Sequence, residues 1–294
     1  MIIESCNLCS RRCGVRRDEN GGNGFCKAGT TMKVARIAPH FGEEPCISGK
    51  RGSGAVFFSH CVLNCIFCQN YKISHGGFGK DISPLELANK FKELEKIGVH
   101  NINLVSGTQY IPLIRQALLL HKPQIPVIFN CSGYESAEGL RLLNGLVDVY
   151  LPDFKYNDNS LAYRYSKALN YKASAVAAIE EMLNQVGSPC FDDDGMIKSG
   201  VIIRHLVLPS ATKNSIGVLK QISESFGSKV LVSLMAQYTP CAKAVGHELL
   251  GRKITKREYQ KVLDVLIELG LDGYAQELSS SGREEIPDFD LTGL

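Results

Sequence analysis

From about residue 54 onward, apolar residues fall into short unbroken runs: GAVFFS (54–59), INLVS (102–106), PVIFN (126–130), VDVYLP (147–152), VIIRHLVL (201–208) and KVLVSLM (229–235). A strand with one solvated face alternates apolar and polar residues. Runs without alternation, rich in β-branched and aromatic side chains, predict strands covered on both faces. Between these runs the period becomes that of a helix. The clearest case is SPLELANKFKELEKIG, where Ser83 is placed to cap and Pro84 takes the first helical position. Leu87, Phe91 and Leu94 form one stripe, and Gly98 stops the helix. Further helices are predicted over 110–120, 135–144, 158–186 with a break near Asn170, 212–226 and 255–269. Strand–helix units in series predict an α/β fold with a parallel sheet, either doubly wound or a partial (β/α)6 barrel.

Residues 1–53 lack long periodic segments and carry the glycine-rich stretches NGGNG and SGKRGSG. They are expected to form a small cysteine-rich, metal-knit extension, with the barrel over 54–278. SGKRGSG precedes a strand instead of joining a strand to a helix, so it does not build a phosphate cradle. The segment 279–294, SSSGREEIPDFDLTGL, is polar and expected to be a loop or frayed tail. A net charge of +3 on 294 residues gives no blanket positive field, which argues against a nucleic-acid partner. No apolar run reaches the ~18 residues of a membrane span, and MIIESCNLCS lacks the build of a signal peptide, so a cytoplasmic protein is expected.

The cysteines change the picture most. Of 11, seven fall into two clusters, and an odd, clustered set favours metal over disulfides. Cys6, Cys9, Cys13 and Cys26 have the spacing C-x2-C-x3-C-x12-C, four soft ligands that suit a closed zinc site or an iron–sulfur cluster. Arg11, Arg12, Arg16 and Arg17 lie in the same segment, as a solvated surface or a docking face for an electron donor. Cys61, Cys65 and Cys68, in CVLNCIFCQNY, sit just past the first predicted strand. That is the carboxyl end, where parallel α/β folds collect reactive groups. Three thiols leave one coordination position open, unless His60 or His75 completes a zinc site.

The spacing C-x3-C-x2-C, with Phe67 directly before the last cysteine, resembles the signature of the radical S-adenosylmethionine enzymes. The blocks FGEEPCISGKRGSGAVFFSHCVLNCIFCQNYKIS, LPDFKY, VIIRHLVLP, LMAQYTP and GLDGYAQEL are similar to those of uncharacterised relatives of pyruvate formate-lyase activating enzyme. The resemblance implies a partial (β/α)6 TIM-like barrel in which Cys61, Cys65 and Cys68 hold a 4Fe-4S cluster whose fourth iron is chelated by S-adenosylmethionine. One-electron reduction would then release a 5′-deoxyadenosyl radical that abstracts hydrogen, by the same analogy from a glycine of a glycyl radical enzyme. Modification of a peptide or a small molecule stands as the alternative. From another class, so does a zinc or iron–sulfur protein for interaction or electron transfer.

Carried over position by position, Phe67 packs on adenine, and the backbone of Ser106, Gly107 and Thr108 meets the methionine amino group. That loop reads SGTQY, where activating enzymes have Gly-Gly-Glu and the uncharacterised relatives often have Pro-Thr-His. Asn130 and Ser132 face the ribose together with Asp153 and Lys155, and Asp153 also helps to hold a monovalent cation. Arg204 and His205 are neighbours in one strand and point to opposite faces. Arg204 is assigned to the lumen and the methionine carboxylate, His205 to the packed side, and Gln237 to a further cofactor contact. The reductant implied is a flavodoxin or ferredoxin.

Overall fold

The structure, a computed structural model, describes residues 2–19, 21–278 and 287–294. Its sheet is built from β1 (Met32–His40), β2 (Ser53–Phe58), β3 (Lys80–Ile82), β4 (Ile102–Val105), β5 (Val127–Cys131), β6 (Val149–Pro152), β7 (Ile197–Leu206), β8 (Leu231–Met235) and β9 (Gly273–Ala275). In space they run β9-β8-β7-β6-β5-β4-β2-β1-β3, with Cys190–Phe191 pairing antiparallel to β7. From β2 to β9 every neighbour is parallel. Apart from β3, which pairs with β1 at the other edge, each new strand after β2 is added on the same side of the last. A doubly wound sheet would reverse direction at a switch point; the unbroken order is that of an open barrel, and it decides between the two topologies.

The helices fall where the period places them. α1 (Pro84–Ile97) carries a capping box, in which the Ser83 side chain accepts from Glu86 N while the Glu86 carboxylate accepts from Ser83 N. α2 (Ile111–Leu120) and the short α3 (Ala137–Arg141) follow. The segment 158–186 is two helices, α4 (Asn159–Ser166) and α5 (Tyr171–Val186), separated by a left-handed residue at Asn170. α6 (Thr212–Ser225) and α7 (Lys256–Glu268) complete the series. Among the described residues no helix is long and apolar enough to cross a membrane.

Two segments do more than the sequence indicates. Residues 32–53, expected within the amino-terminal extension, join the sheet through β1, which pairs antiparallel with β2 and β3. They also carry the short helix Pro45–Ser48, whose Ile47 is buried among Ile128, Val149, Leu151 and Ile202. That helix plugs the bottom of the barrel. Of the expected tail, 279–286 lies outside the described residues, whereas 287–294 lies along β1. Ile37 N donates to Thr292 O at 2.9 Å, and Leu291 N donates to Ala35 O at 3.1 Å.

The carboxyl ends of β5 and β6 approach so closely that residue 133 has no room for a side chain. Gly133 has φ +68°, and a Cβ there would lie 2.1 Å from the Asp153 carbonyl oxygen. Gly133→Ala is therefore expected to destabilise the fold by roughly 1–3 kcal/mol, combining left-handed strain with overpacking. Urea denaturation of the variant checks this, and a midpoint equal to that of the parent protein would contradict the close approach.

Candidate functional site

The carboxyl ends of β2 and β4–β9 surround a half-open cavity of about 600 Å³. Cys61, Cys65, Phe67 and Cys68 line it from the loop after β2. Ser106, Asn130, Ser132, Asp153, Lys155, Arg204 and Gln237 line it from the strand ends that follow. Residues scattered over some 180 positions are thus gathered by a single topological rule, that loops at one end of a parallel barrel converge.

The three thiols are equipped alike. Cys61 Sγ accepts from Leu63 N at 3.3 Å, Cys65 Sγ accepts from the Ser166 hydroxyl at 2.9 Å, and Cys68 Sγ lies 3.3 Å from the Ser74 hydroxyl. Burial raises the pKa of all three, that of Cys68 to about 12, so as free thiols they hold their protons. A metal that replaces those protons removes this cost. Hydrogen bonds to cysteine sulfur are also what tunes an iron–sulfur centre. Nearby acceptors lack partners: Asn64 Oδ1 and Asn70 Oδ1 are buried without a hydrogen bond among the described residues. Asn70 lines the cavity, so an amine or amide of a bound ligand would satisfy its oxygen. Three sulfurs beside a large cavity therefore fit a cluster with one open corner. His60 and His75 are not among the residues that line this cavity, so neither stands there as a fourth ligand beside the thiols.

At the end of β6, Lys155 Nζ lies 2.6 Å from Asp153 Oδ2. Burial disfavours the ammonium, but Asp153 and the sulfurs of Cys65 and Cys68 outweigh it and raise its pKa. Lys155 is therefore a fixed cation facing the thiols.

The loop after β4 departs from the carried-over roles. Ser106 reaches the cavity, with a left-handed backbone at φ 60°. Gly107 does not, since a Cβ there would meet Ile114, Phe129 and Phe58 of the core. Thr108 is buried, and its hydroxyl donates to Glu135 Oε1 at 2.7 Å. The carbonyls of Gly107 and Thr108 already accept from Tyr110 N and Ile111 N, so of the three residues Ser106 alone stands at the cavity. The Ser106 carbonyl is itself taken by Gln109 Nε2 at 2.8 Å. Gln109 also donates to the Ser59 carbonyl at 2.9 Å and approaches that of His60 at 3.3 Å. This glutamine, the distinctive residue of SGTQY, ties the strand end before Cys61 to the strand end at Ser106. Ser132 likewise turns its hydroxyl to Glu135 at 3.0 Å.

Arg204 requires a larger correction. It faces the lumen, but its guanidinium is not free for a ligand carboxylate. Nε donates to Glu44 Oε1 at 2.8 Å and Nη2 to Glu44 Oε2 at 2.6 Å, while Nη2 also pairs with Glu43 Oε2. The two glutamates come from FGEEP, 160 residues earlier, and line the same cavity. Asn103 donates to Glu43 at 2.8 Å, and the Ser233 hydroxyl bonds Glu44. His205 is fully buried on the opposite face. Its Nδ1 donates to the Phe154 carbonyl at 2.7 Å, and burial lowers its pKa to about 4, so it stays neutral. Gln237 lines the cavity and accepts from Gln276 Nε2 at 3.1 Å.

Removing the cation leaves two buried carboxylates unpaired, so Arg204→Leu is expected to cost about 3–5 kcal/mol near pH 7. Burial pushes the Glu44 pKa up, but Arg204 pulls it down further, below the usual range. The protein therefore gains stability above that range and loses it as pH falls through the folded-state value. Without Arg204, burial, the largest influence on Glu44, is opposed only by hydrogen bonds from Ser233 and the backbone; the pKa rises and the sign reverses, so the variant loses stability as pH rises. The destabilisation should shrink between about pH 7 and about pH 4.5. Urea melts of both proteins at the two pH values check it; a pH-independent difference would mean that the carboxylates are not what Arg204 stabilises.

Residues 55–216, more than half of the chain, match the Radical SAM superfamily. An uncharacterised protein of Methanocaldococcus jannaschii is 32% identical over 283 residues, covering 92% of this chain and 77% of that one. Among solved structures, a radical SAM methyltransferase from Sphaerobacter thermophilus is similar in fold, with a TM-score of 0.53 and 13% identity. That match covers 76% of this chain and 65% of the methyltransferase, so this chain spans less than two thirds of it. Methylornithine synthase gives a TM-score of 0.52 at 12% identity, covering 82% of this chain and 78% of its own. SuiB of Streptococcus suis, solved with its precursor peptide SuiA, gives 0.51 at 12%, covering 74% and 47%. At such identities the structures share the fold alone, but the family match carries further: the chain belongs to the radical S-adenosylmethionine superfamily.

Proposed function

We propose that, with a 4Fe-4S cluster and S-adenosylmethionine bound in the cavity, this chain supports reductive cleavage to an adenosyl radical that removes a hydrogen atom from a glycine of a partner protein. The observation that carries this reading is the cavity itself, with three buried thiols on one wall and polar strand ends around them. Cys61, Cys65 and Cys68 hold the cluster. Phe67, packed edge-on against Tyr165 and Tyr238, fixes the apolar floor between two of the thiols. Lys155 and Asp153 present a rigid ion pair beside the sulfurs, suited to the charged end of an amino-acid ligand. Asn130 offers its carboxamide from β5 at the same level.

The substrate reading rests on the mouth. Phe41 is 63% exposed and lines the cavity, and the exposed Gln69 stands on the cysteine-loop side. Among the described residues the site is half-open with an aromatic side chain at its rim, an arrangement that admits an extended backbone. Recognition of a peptide is also seen in the SuiB fold relative, solved with its precursor peptide.

The anaerobically reconstituted protein, given a low-potential reductant, should form 5′-deoxyadenosine, and Cys61→Ala, Cys65→Ala or Cys68→Ala should each abolish this without unfolding the chain. A peptide carrying α-deuterated glycine should then place deuterium in the 5′-deoxyadenosine. Deuterium arriving from a small metabolite and from no glycine peptide would replace the glycine reading and keep the radical chemistry. Undiminished cleavage in a cysteine variant would remove both.

A further inference from the structure

The amino-terminal cysteines form a second thiol site, separate from the cavity. Cys6, Cys9, Cys13 and Cys26 line a gap of about 10 Å³ behind the cysteine loop, together with Arg11, Arg17 and Val62. Two hydrogen-bonded turns present them: Arg12 N donates to Cys9 O, and Lys27 N donates to Gly24 O, each at 3.0 Å. Cys6 and Cys9 are buried, Cys26 is half-buried and Cys13 is exposed.

We infer that these four cysteines bind one thiophilic divalent ion of the zinc type, in a closed site that braces the loop carrying Cys61, Cys65 and Cys68. Three observations lead there. The first is ligand number: four soft donors complete a tetrahedral shell with no open position, unlike the three in the cavity. The second is size. A gap of about 10 Å³ is roughly one water-sized sphere, room for an ion but not for a four-iron core, whereas the three-thiol wall adjoins about 600 Å³. The thiols are not preformed around a point, so the ion draws them in.

The third is a buried cation without a carboxylate. Arg17 is 2% exposed, and its guanidinium bonds the carbonyls of Ala28, Gly29 and Gln109. Its remaining polar contact is Cys6 Sγ at 3.4 Å. Among the described residues no carboxylate lies within ion-pair distance of it. A buried charge is ordinarily paired, and thiolates around a divalent ion carry the negative charge that Arg17 otherwise lacks.

The brace is Arg11, between Cys9 and Cys13. Its guanidinium donates to the carbonyls of Val62, at 2.5 Å, and Ser166, at 2.9 Å, and lies over the Phe25 ring. Val62 adjoins Cys61, and the Ser166 hydroxyl donates to Cys65. Closing the metal shell therefore fixes the arginine that holds the catalytic loop from behind.

The test reads metal content, so it is independent of S-adenosylmethionine cleavage. The full-length Cys61→Ala/Cys65→Ala/Cys68→Ala variant should contain about one zinc per chain and no iron. After exchange with Co²⁺ it should show the intense absorption of tetrahedral cobalt thiolate. A second reading, independent of how the triple variant folds, comes from Cys13→Ser in the otherwise unchanged chain. Its exposed thiol can be replaced with little effect on packing, and zinc per chain should fall at least tenfold while the circular dichroism of the barrel persists. No zinc in either protein before the Cys13 change, or iron with inorganic sulfide in the triple variant, would overturn the single-ion assignment.

Discussion

Arg204 sits between Glu43 and Glu44 at the level where the barrel's apolar filling gives way to its polar cavity, and much of the site depends on that contact. Below it, Ile47 fills the lumen against Ile128, Leu151 and Ile202. Above it the lining turns polar. The glutamates stand on the turn that leads directly into the helix of Ile47, so the ion pair anchors the plug to β7 on the far side of the lumen. Three charges buried together are costly unless every lone pair and proton is used. Asn103 and Ser233 supply what Arg204 does not reach, from strands on either side. The triad thus couples the pre-barrel segment to three strands at once, which explains how an open barrel keeps its mouth in shape.

The elements of the barrel were legible because burial on both faces leaves an unmistakable signature, an apolar run with no alternation, and because Ser83, Gly98 and Asn170 mark helix ends by local chemistry. β1 was not legible for the converse reason. MKVARIAPH carries basic residues among its apolar ones, its neighbourhood is rich in glycine, and its place beside β2 depends on a partner outside any local window. The same limit applies to the site. A strand end announces which loop reaches the cavity, so Cys61, Asn130 and Asp153 could be placed from the sequence. It does not announce which atom within the loop points inward. Gly107 and Thr108 turn to the core while Ser106 turns to the cavity, and the partners of Arg204 lie 160 residues away.

SGTQY illustrates how a departure from a familiar pattern becomes intelligible once its contacts are known. Ser106 and His60 both hold left-handed backbones, a conformation that costs a non-glycine residue on the order of 1–3 kcal/mol. Gln109 bonds the carbonyls of both. One buried amide thus holds two unfavourable turns in register, one leading into Cys61 and the other opening the next strand's loop. A side chain with a single donor could not span them. The glutamine therefore acts on the architecture of the site, and no direct contact with a ligand has to be assigned to it.

Most polar groups in the cavity are committed before any ligand enters: Asp153 with Lys155, Ser132 with the buried Glu135 behind it, Gln237 with Gln276, Arg204 with its glutamates. Such pairing lowers the reorganisation a ligand has to drive, because the walls already hold their geometry. It also limits what a ligand can find. The sulfurs, the Asn130 carboxamide and the unpartnered acceptor of Asn70 lie on the side of the cavity formed by β2, β5 and the cysteine loop. The opposite side, with its neutralised arginine and exposed Phe41, offers shape and an apolar rim instead of free charge. Under the function proposed above, a division of this kind would let the cofactor be held by specific polar contacts while the second reactant is selected by its path to the sulfurs.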